Sequence, residues 1–436
     1  MHSVTKAYLA ACAAPDSPLR TAGRQLPLAP YYGSVYSRQL ARPMFVPEAH
    51  LRRAADDLQA LHAILQSLPD RRFGGDVRAL CAALGMPPCA TAFAVAAAGH
   101  GSTPLYGRPD LYYDGDSFTL LELNTGSELG GVDFAEVNEA FLRIPAFADF
   151  AGQHQLGYTD TGVQIAAYLR DLAAPITGGA DPVVAMIDIS ENMHKYAANY
   201  RSFVAHMAAR GIQVLVTHIA DVRTRDGKLT VDGTPIDVAM RYFTLEEICA
   251  DPRAEEWLTP VLRADEAGRT AFFAGLDHGI YANKGVLALV SQMREAGDLT
   301  PVEAEVVDRI LPWTRTVTSE LRGYAHEHRE RLLLKPAAGG SGAGVVAGWT
   351  ASPESWAEAF EAALTKPYVL QARVEGMVED VPGDDGVTSW LPAYGMFVFA
   401  QGYAGCFVRA LPVDGGAVIN DATGASITTV FAIPGG

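Results

Sequence analysis

Residues 182–217 constrain the fold most. Pro182–Asp188 (PVVAMID) is an apolar run ending in a carboxylate. The polar turn Ser190–Met193 follows, then a helical pattern over 194–210 closed by Gly211, then a second apolar run, Gln213–Thr217 (QVLVT). Two such runs joined by a helix read as a β-α-β unit, whose strands pair in parallel through a right-handed crossover. A hairpin at 229–237 and a strand over Val238–Phe243 extend the unit into a small α/β domain. Open α/β sheets bind ligands beyond the C-terminal ends of their strands. Asp188, Ser190, Glu191 and Asn192 are therefore placed near a substrate, with a plain helix-capping role as the alternative for Ser190.

The chain has 436 residues, enough for two or three cores. Apolar residues make up 49% and charged residues 19%, which excludes wholesale disorder. A net charge of −16 argues against general nucleic-acid binding and against anionic membrane surfaces. No run reaches the ~20 apolar residues that span a bilayer. Leu9–Cys12 has the look of a lipoprotein box, but the apolar run around it is short for a signal peptide. The five cysteines (Cys12, Cys81, Cys89, Cys249, Cys406) have neither CxxC nor zinc spacing, so a reducing, cytoplasmic setting is expected.

Residues 1–45 read as an irregular arm. Helices are expected from Pro47 to Leu68, over 76–84, 91–98, 160–172, 285–296 and 354–364. Tyr368–Val374, Gly395–Phe399, Gly405–Leu411 and Val418–Ile419 read as strands, and 376–390 as a loop with the acidic pair Asp384 and Asp385.

Two stretches carry chemistry. Leu111–Tyr113 and Phe118–Leu123 read as strands around an Asp-Gly turn. Glu122 and Asn124 lie two residues apart, so a strand's period of 2 puts both on one face. A carboxylate and an amide oxygen suit Mg²⁺, which takes few protein ligands and completes its shell with nucleotide phosphates. A solvent-facing hairpin gives the same pattern. Gly130 and Gly131, just downstream, suggest close backbone approach. The second stretch is Leu332–Val346, in which Lys335-Pro336 precedes Gly339, Gly340, Gly342 and Gly344 between two apolar runs. Such a strand–loop–strand can cradle an anion on successive N–H groups, with the lysine as a point charge. It matches neither a Walker A loop nor a Rossmann fingerprint. An ordinary hairpin with a glycine turn also satisfies it.

Taken in order, Glu-x-Asn with Gly-Gly, the small α/β domain, the Lys-Pro-glycine loop and a C-terminal arginine and glycine stretch resemble the circularly permuted ATP-grasp ligases, including eukaryotic-type glutathione synthetase and glutathionylspermidine synthase-like proteins. The resemblance runs from about residue 105 to the C-terminus. It implies an α/β (α+β), circularly permuted ATP-grasp fold with a helical N-terminal region and a small Rossmann-like α/β substrate domain. The expected domains are 1–175, 176–262 and 263–436. The implied activity is ATP-dependent amide or peptide bond formation through an acyl phosphate, with ATP and Mg²⁺. The implied partners are a small-molecule or peptide carboxylate and an amine or amino acid, with no nucleic acid and no membrane; a homodimer is compatible with it.

By position, the resemblance puts Mg²⁺ on Glu122 and Asn124. It puts the nucleotide on Lys284, Lys335, Gly339, Gly340, Ser341, Gly342, Gln371, Arg373 and Glu375. Arg108, Ser127 and Asn420 face the acceptor, and Arg409, Arg108 and Lys335 stand by the reacting groups. One departure matters. Where the family carries an acidic Mg²⁺ ligand in the loop, this chain has Ala337-Ala338-Gly339-Gly340. Asp110 and extra water are the candidates to fill that place. The missing carboxylate also keeps open a catalytically degenerate nucleotide-binding partner protein, and a kinase stopping at phosphoryl transfer is a further alternative. His100, His194 and His278 lack partner spacing and are expected to be structural.

Overall fold

The structure, a computed structural model, describes all residues except 1, 15, 29–37, 99–103, 341, 384–385, 421–422 and 436. Strands are numbered β1 to β19 in chain order. The largest sheet has eight strands and draws on both ends of the chain. Its main path runs β1 (Met44–Pro47), β19 (Ser426–Ile433), β18 (Gly402–Pro412), β17 (Gly386–Phe399), β3 (Asp110–Tyr113), β4 (Phe118–Glu122). β2 (Tyr106–Gly107) and β16 (Glu379–Gly383) also pair with β17. β1 runs parallel to β19, and the other pairs are antiparallel.

Strand alternation sorts the core. On β17, Met396 and Val398 enter one hydrophobic cluster, while Phe397 and Phe399 enter another on the opposite face. On β18, Cys406 and Val408 share the first cluster and Phe407 the second. A sheet covered on both faces reads as a continuous apolar run, which is why these strands were legible. The helix Glu48–Gln66 covers the first face with Leu51, Ala54, Leu58, Leu61 and Leu65, all buried at helical spacing. Each fully buried leucine contributes about 1.5–3 kcal/mol. Ile165 and Leu169 of the helix Thr161–Thr177 cover the other face. Gly131, at φ +103°, lies where a Cβ would stand 2.4 Å from the Phe397 ring, so the close approach read from Gly130-Gly131 is real.

The β-α-β reading holds. β5 (Val183–Asp188) pairs in parallel with β6 (Gln213–His218) and with β10 (Val238–Arg241), which pairs with β11 (Ala271–Phe273). The crossover is two helices, Ser190–Lys195 and Ala197–Ala208, in place of one over 194–210. β7 (Arg223–Arg225), β8 (Lys228–Val231) and β9 (Thr234–Pro235) form the expected hairpin and one more strand. A last antiparallel sheet runs β12 (Thr314–Thr316), β15 (Tyr368–Ala372), β13 (Leu332–Pro336), β14 (Val346–Ala347).

Several expectations need correction. Residues 376–390 are not a plain loop: β16 and the start of β17 form a hairpin, with Val381 opposite Thr388. β16 is mostly buried but short and carries Glu379, Asp380, Pro382 and Gly383, and Val387, Thr388 and Ser389 at the start of β17 face solvent in succession, so the hairpin lacks the apolar alternation by which strands are read. Asp384 and Asp385 lie outside the described residues. Val418–Ile419 is no strand; the C-terminal strand is β19, held between β18 and β1. The N-terminal arm opens with a helix, Ser3–Ala11. Tyr8 anchors it, with its ring 5.4 Å from Phe45 and 5.2 Å from Phe150.

The expectation of reduced thiols fails at one pair. Cys89 and Cys249 are disulfide-bonded, with Cα atoms 5.9 Å apart across a sequence separation of 160. Their helices pack together in space, which no local spacing reveals. Cys12, Cys81 and Cys406 are free and buried. Among the described residues no helix is long and apolar enough to cross a membrane.

Candidate functional site

The large sheet, the small parallel sheet and the β12–β15 sheet meet around a cleft of about 1300 Å³. Pockets for a single drug-sized ligand span roughly 300–1,000 Å³, so this one has room for more than one substrate. β3 and β4 bring Asp110 and Glu122 to it, Asn124 follows two residues past the end of β4, and β13 brings Lys335. β18 brings Arg409, while Arg108 and Asn420 come from loops.

Glu122 and Asn124 meet as expected. The Asn124 amide donates to Glu122 Oε1 at 3.4 Å. Lys284 Nζ stands 3.4 Å from Glu122 Oε2 and donates to the Gly339 carbonyl at 2.9 Å. That lysine, itself buried, ties the glycine loop to the carboxylate. Lys335 Nζ donates to the Leu121 carbonyl and to Gln371 Oε1, both at 2.8 Å. Gln371 is buried and its amide donates to Thr314, so it holds Lys335 in place. Burial, and secondarily Lys284, lower the Lys335 pKa to about 8, against the pull of Glu122 and Asp110. Burial would raise the Glu122 carboxyl, but Lys284, Lys335 and the Asn124 hydrogen bond together outweigh it and the net direction is down.

Asp110 is the cross-strand partner of Glu122. Its Oδ2 accepts from Arg409 Nη2 at 2.6 Å. Burial raises its pKa, opposed by Arg409 and Arg108. Arg108 and Arg409 both lie over the Phe407 ring, 5.3 and 5.5 Å from its centroid. Arg108 also donates to the Leu129 carbonyl at 2.7 Å. The wall thus holds carboxylates and an amide ringed by four cations, a donor set that fits a divalent metal beside phosphate groups.

Gly339, Gly342 and Gly344 have φ of +90°, +71° and +74°, a region that favours glycine. At Gly342 a Cβ would meet Val418 at 2.3 Å, so the loop lies directly on the Val418–Asn420 segment.

No protein-family model matches the sequence, and no curated protein sequence does. Solved structures do. A glutathione synthetase-like effector from Globodera pallida, in its apo form, superposes with a TM-score of 0.56 at 13% identity, covering 91% of this chain and 90% of that one. The chain has the glutathione synthetase-like ATP-grasp fold. A putative gamma-glutamylcysteine synthetase from Methylobacillus flagellatus matches at a TM-score of 0.42 and 14% identity, over 85% and 87% of the two chains. The ATP-grasp ligase PsnB, complexed with a phosphomimetic variant of its minimal precursor, Mg and ADP, matches at 0.32 and 17%, over 59% and 85%.

Within the same cleft, Gly339, Gly340, Gly342, Arg373 and Glu375 also line the wall; Ser341 lies outside the described residues. Arg373 stacks its guanidinium 4.6 Å from the centre of the Trp349 ring. Three expected substrate contacts are placed elsewhere. Ser127 is fully buried and its hydroxyl donates to the Arg241 carbonyl. Asn192 is buried and donates to Asp188 Oδ1 at 3.1 Å. Ser190 is the first residue of its helix, and the residue before it, Ile189, takes the cap position without a side-chain bond. Asp188 is enclosed by Asn192, Tyr200 and the Ile189 amide. His278 is buried, His194 is exposed, and neither lines the cleft; His100 lies outside the described residues.

Sequence reading missed the pair Arg241 and Glu128, 3.0 Å apart on the cleft wall. Arg241 ends β10, so the rule that ligands bind beyond strand C-termini could have found it.

Proposed function

We propose that the chain is an ATP-dependent carboxylate–amine ligase. The observation that carries this reading is the convergence, in one cleft, of Glu122, Asn124, Lys335, the glycine loop and Arg409, residues separated by up to 287 positions in the chain. Glu122 and Asn124 would hold Mg²⁺, which when bound neutralises phosphate charge. Lys335, fixed by Gln371, faces the phosphates as a point charge. The glycine loop offers backbone N–H groups to them and, lying on Val418–Asn420, shields them from water. Trp349, Tyr368 and Arg373 offer flat surfaces for a base.

In the reaction proposed, a substrate carboxylate oxygen attacks the γ-phosphorus of ATP, the bond to the β-phosphate oxygen breaks, and ADP leaves. The amine nitrogen then attacks the acyl carbon, phosphate leaves with the bonding pair, and the amine proton passes to solvent. Positioning and charge neutralisation lower the barrier, and no protein nucleophile is needed. Arg409 and Arg108 stand where the carboxylate and the departing phosphate would carry negative charge. The volume of the cleft supports a nucleotide plus two further substrates.

Screening acids and amines for ADP release, with mass detection of the amide, tests the reading. Glu122→Ala and Lys335→Ala should each lower ADP formation at least about 100-fold in folded protein. Nucleotide binding without turnover for every pair would favour a non-catalytic binding protein. A stable phosphorylated product formed without amine would favour a kinase.

A further inference from the structure

The disulfide joins two segments that line the cleft. Cys89 is the second residue of the helix Pro88–Ala98, and Cys249 ends the helix Leu245–Cys249. Pro87 and Ala90 line the cleft from the first segment, and Thr244, Leu245 and Glu246 from the second. The stretch before Cys89 reaches the lysines and the glycine loop. Asn283, next to Lys284, donates to the Leu84 carbonyl at 3.3 Å. Gly85, at φ +67°, lies where a Cβ would stand 2.5 Å from Pro367 Cγ, and the Pro367 carbonyl accepts from Ala337 at the root of the loop. Met86 packs against the cores of both the large sheet and the small parallel sheet. The joined sulfurs are also the accessible ones. Cys12, Cys81 and Cys406 are buried, whereas Cys89 and Cys249 are half-buried. Ala90 and Phe93 share one buried apolar cluster with Leu245 and Ile248, so the two helices stay packed when the bond opens.

We infer that the Cys89–Cys249 bond is a redox switch on the cleft. Closed, it pins residues 84–89 to 244–249 and so holds Lys284 and the glycine loop in place for the nucleotide. Opened, it gives these segments a freedom that the nucleotide must remove again on binding, which lowers its affinity. This inference rests on the nucleotide-binding reading above. The co-reactant is a dithiol. One of its thiolates attacks a sulfur of the bond, the S–S bond breaks, and the displaced cysteine leaves with the bonding pair and takes up a proton. The second thiolate of the dithiol then attacks the mixed disulfide and displaces the other cysteine, which also takes up a proton. The protein gains two electrons and two protons, and the dithiol leaves as a disulfide. A disulfide oxidant runs the same steps backwards.

The test is ADP titration of the whole chain at constant Mg²⁺, read by the fluorescence of Trp349 on the cleft wall, with the pair oxidised and after reduction by dithiothreitol. The reduced form should bind ADP at least about fivefold more weakly, the low end of coupling between sites. Cys89→Ser with Cys249→Ser should match the reduced form and show no response to dithiothreitol. Equal or tighter binding by the reduced form overturns the inference and leaves the nucleotide reading intact. No ADP binding by the oxidised protein overturns the nucleotide reading itself. Hydrogen exchange needs no variant and separates a switch from a plain structural staple. Reduction should speed exchange at 84–90, 244–250 and the glycine loop, while β5, β10 and β17 keep their protection. Loss of protection across the whole molecule would mean that the bond only holds the fold, and would overturn the inference as well. So would a pair that hydroxyethyl disulfide cannot close.

Discussion

Raising the pH from 7 to 9 should weaken nucleotide binding about tenfold, through Lys335. This lysine is 8% exposed, and burial holds its pKa at about 8. Glu122 on β4, Asp110 on β3 and Lys284 before the helix Gly285–Ala296 are the charged groups facing it. Phosphate binds the protonated form, so at pH 7 the free protein is ready. Above pH 8 it must first take up a proton. The apparent affinity then falls by a factor of about ten per pH unit, or ~1.4 kcal/mol. The stability effect has the opposite sign. Between about pH 8 and 10.5 the unfolded chain binds the proton and the folded chain does not, so this group favours folding increasingly as pH rises, by up to about 3 kcal/mol. The assay is ADP titration at constant Mg²⁺ between pH 7.5 and 9, read by the fluorescence of Trp349 on the cleft wall. Lys335→Met should bind more weakly at pH 7.5 and lose the slope. Glu122→Gln removes the group that most raises the lysine's pKa, so its midpoint should move below 8. A flat profile in the unaltered protein, or the same slope in Lys335→Met, would refute the reasoning.

Arg42 is fully buried, with Nη2 2.5 Å from Glu379 and Nε bonded to the Asp380 carbonyl at 2.7 Å. Arg42→Met should cost about 3–5 kcal/mol in urea unfolding, because Glu379 is left as a buried unpaired charge, and Arg42→Met with Glu379→Leu should recover much of it. An equal loss in the double variant would contradict this. Opening the Cys89–Cys249 bond should lower stability by roughly 2–5 kcal/mol, since the loop it closes is long. Denatured, unreduced protein should titrate three thiols, Cys12, Cys81 and Cys406, and five after reduction. Five without reductant would show the pair open.

Most elements with strong periodicity were readable directly. The helix Gly285–Ala296 and the buried strands β5 and β17 announce themselves because burial demands apolar residues at fixed intervals. The pairing of Glu122 with Asn124 was readable for a related reason, since the two need only strand period to share a face. The hairpin at 379–390 and the helix Ser3–Ala11 were not. The first has solvent-facing residues in succession at 387–389 and too few apolar ones in β16, and the second is held by the distant Phe45 and Phe150 rather than by its own pattern.

The sequence by itself determined the β-α-β unit, the carboxylate and amide on one strand face, and the glycines whose positive φ the loop requires. It also showed that this loop lacks an acidic residue. Only the tertiary structure decided what stands opposite. The register of β3 against β4 sets Asp110 beside Glu122, and β18, from the far end of the chain, lays Arg409 on it. It also withdrew Ser127, Ser190 and Asn192 from the cleft and joined Cys89 to Cys249. The physical reason is common to all of these. Strand pairing and helix docking bring residues together through contacts hundreds of positions apart, and local periodicity carries no record of which distant partner each face will meet.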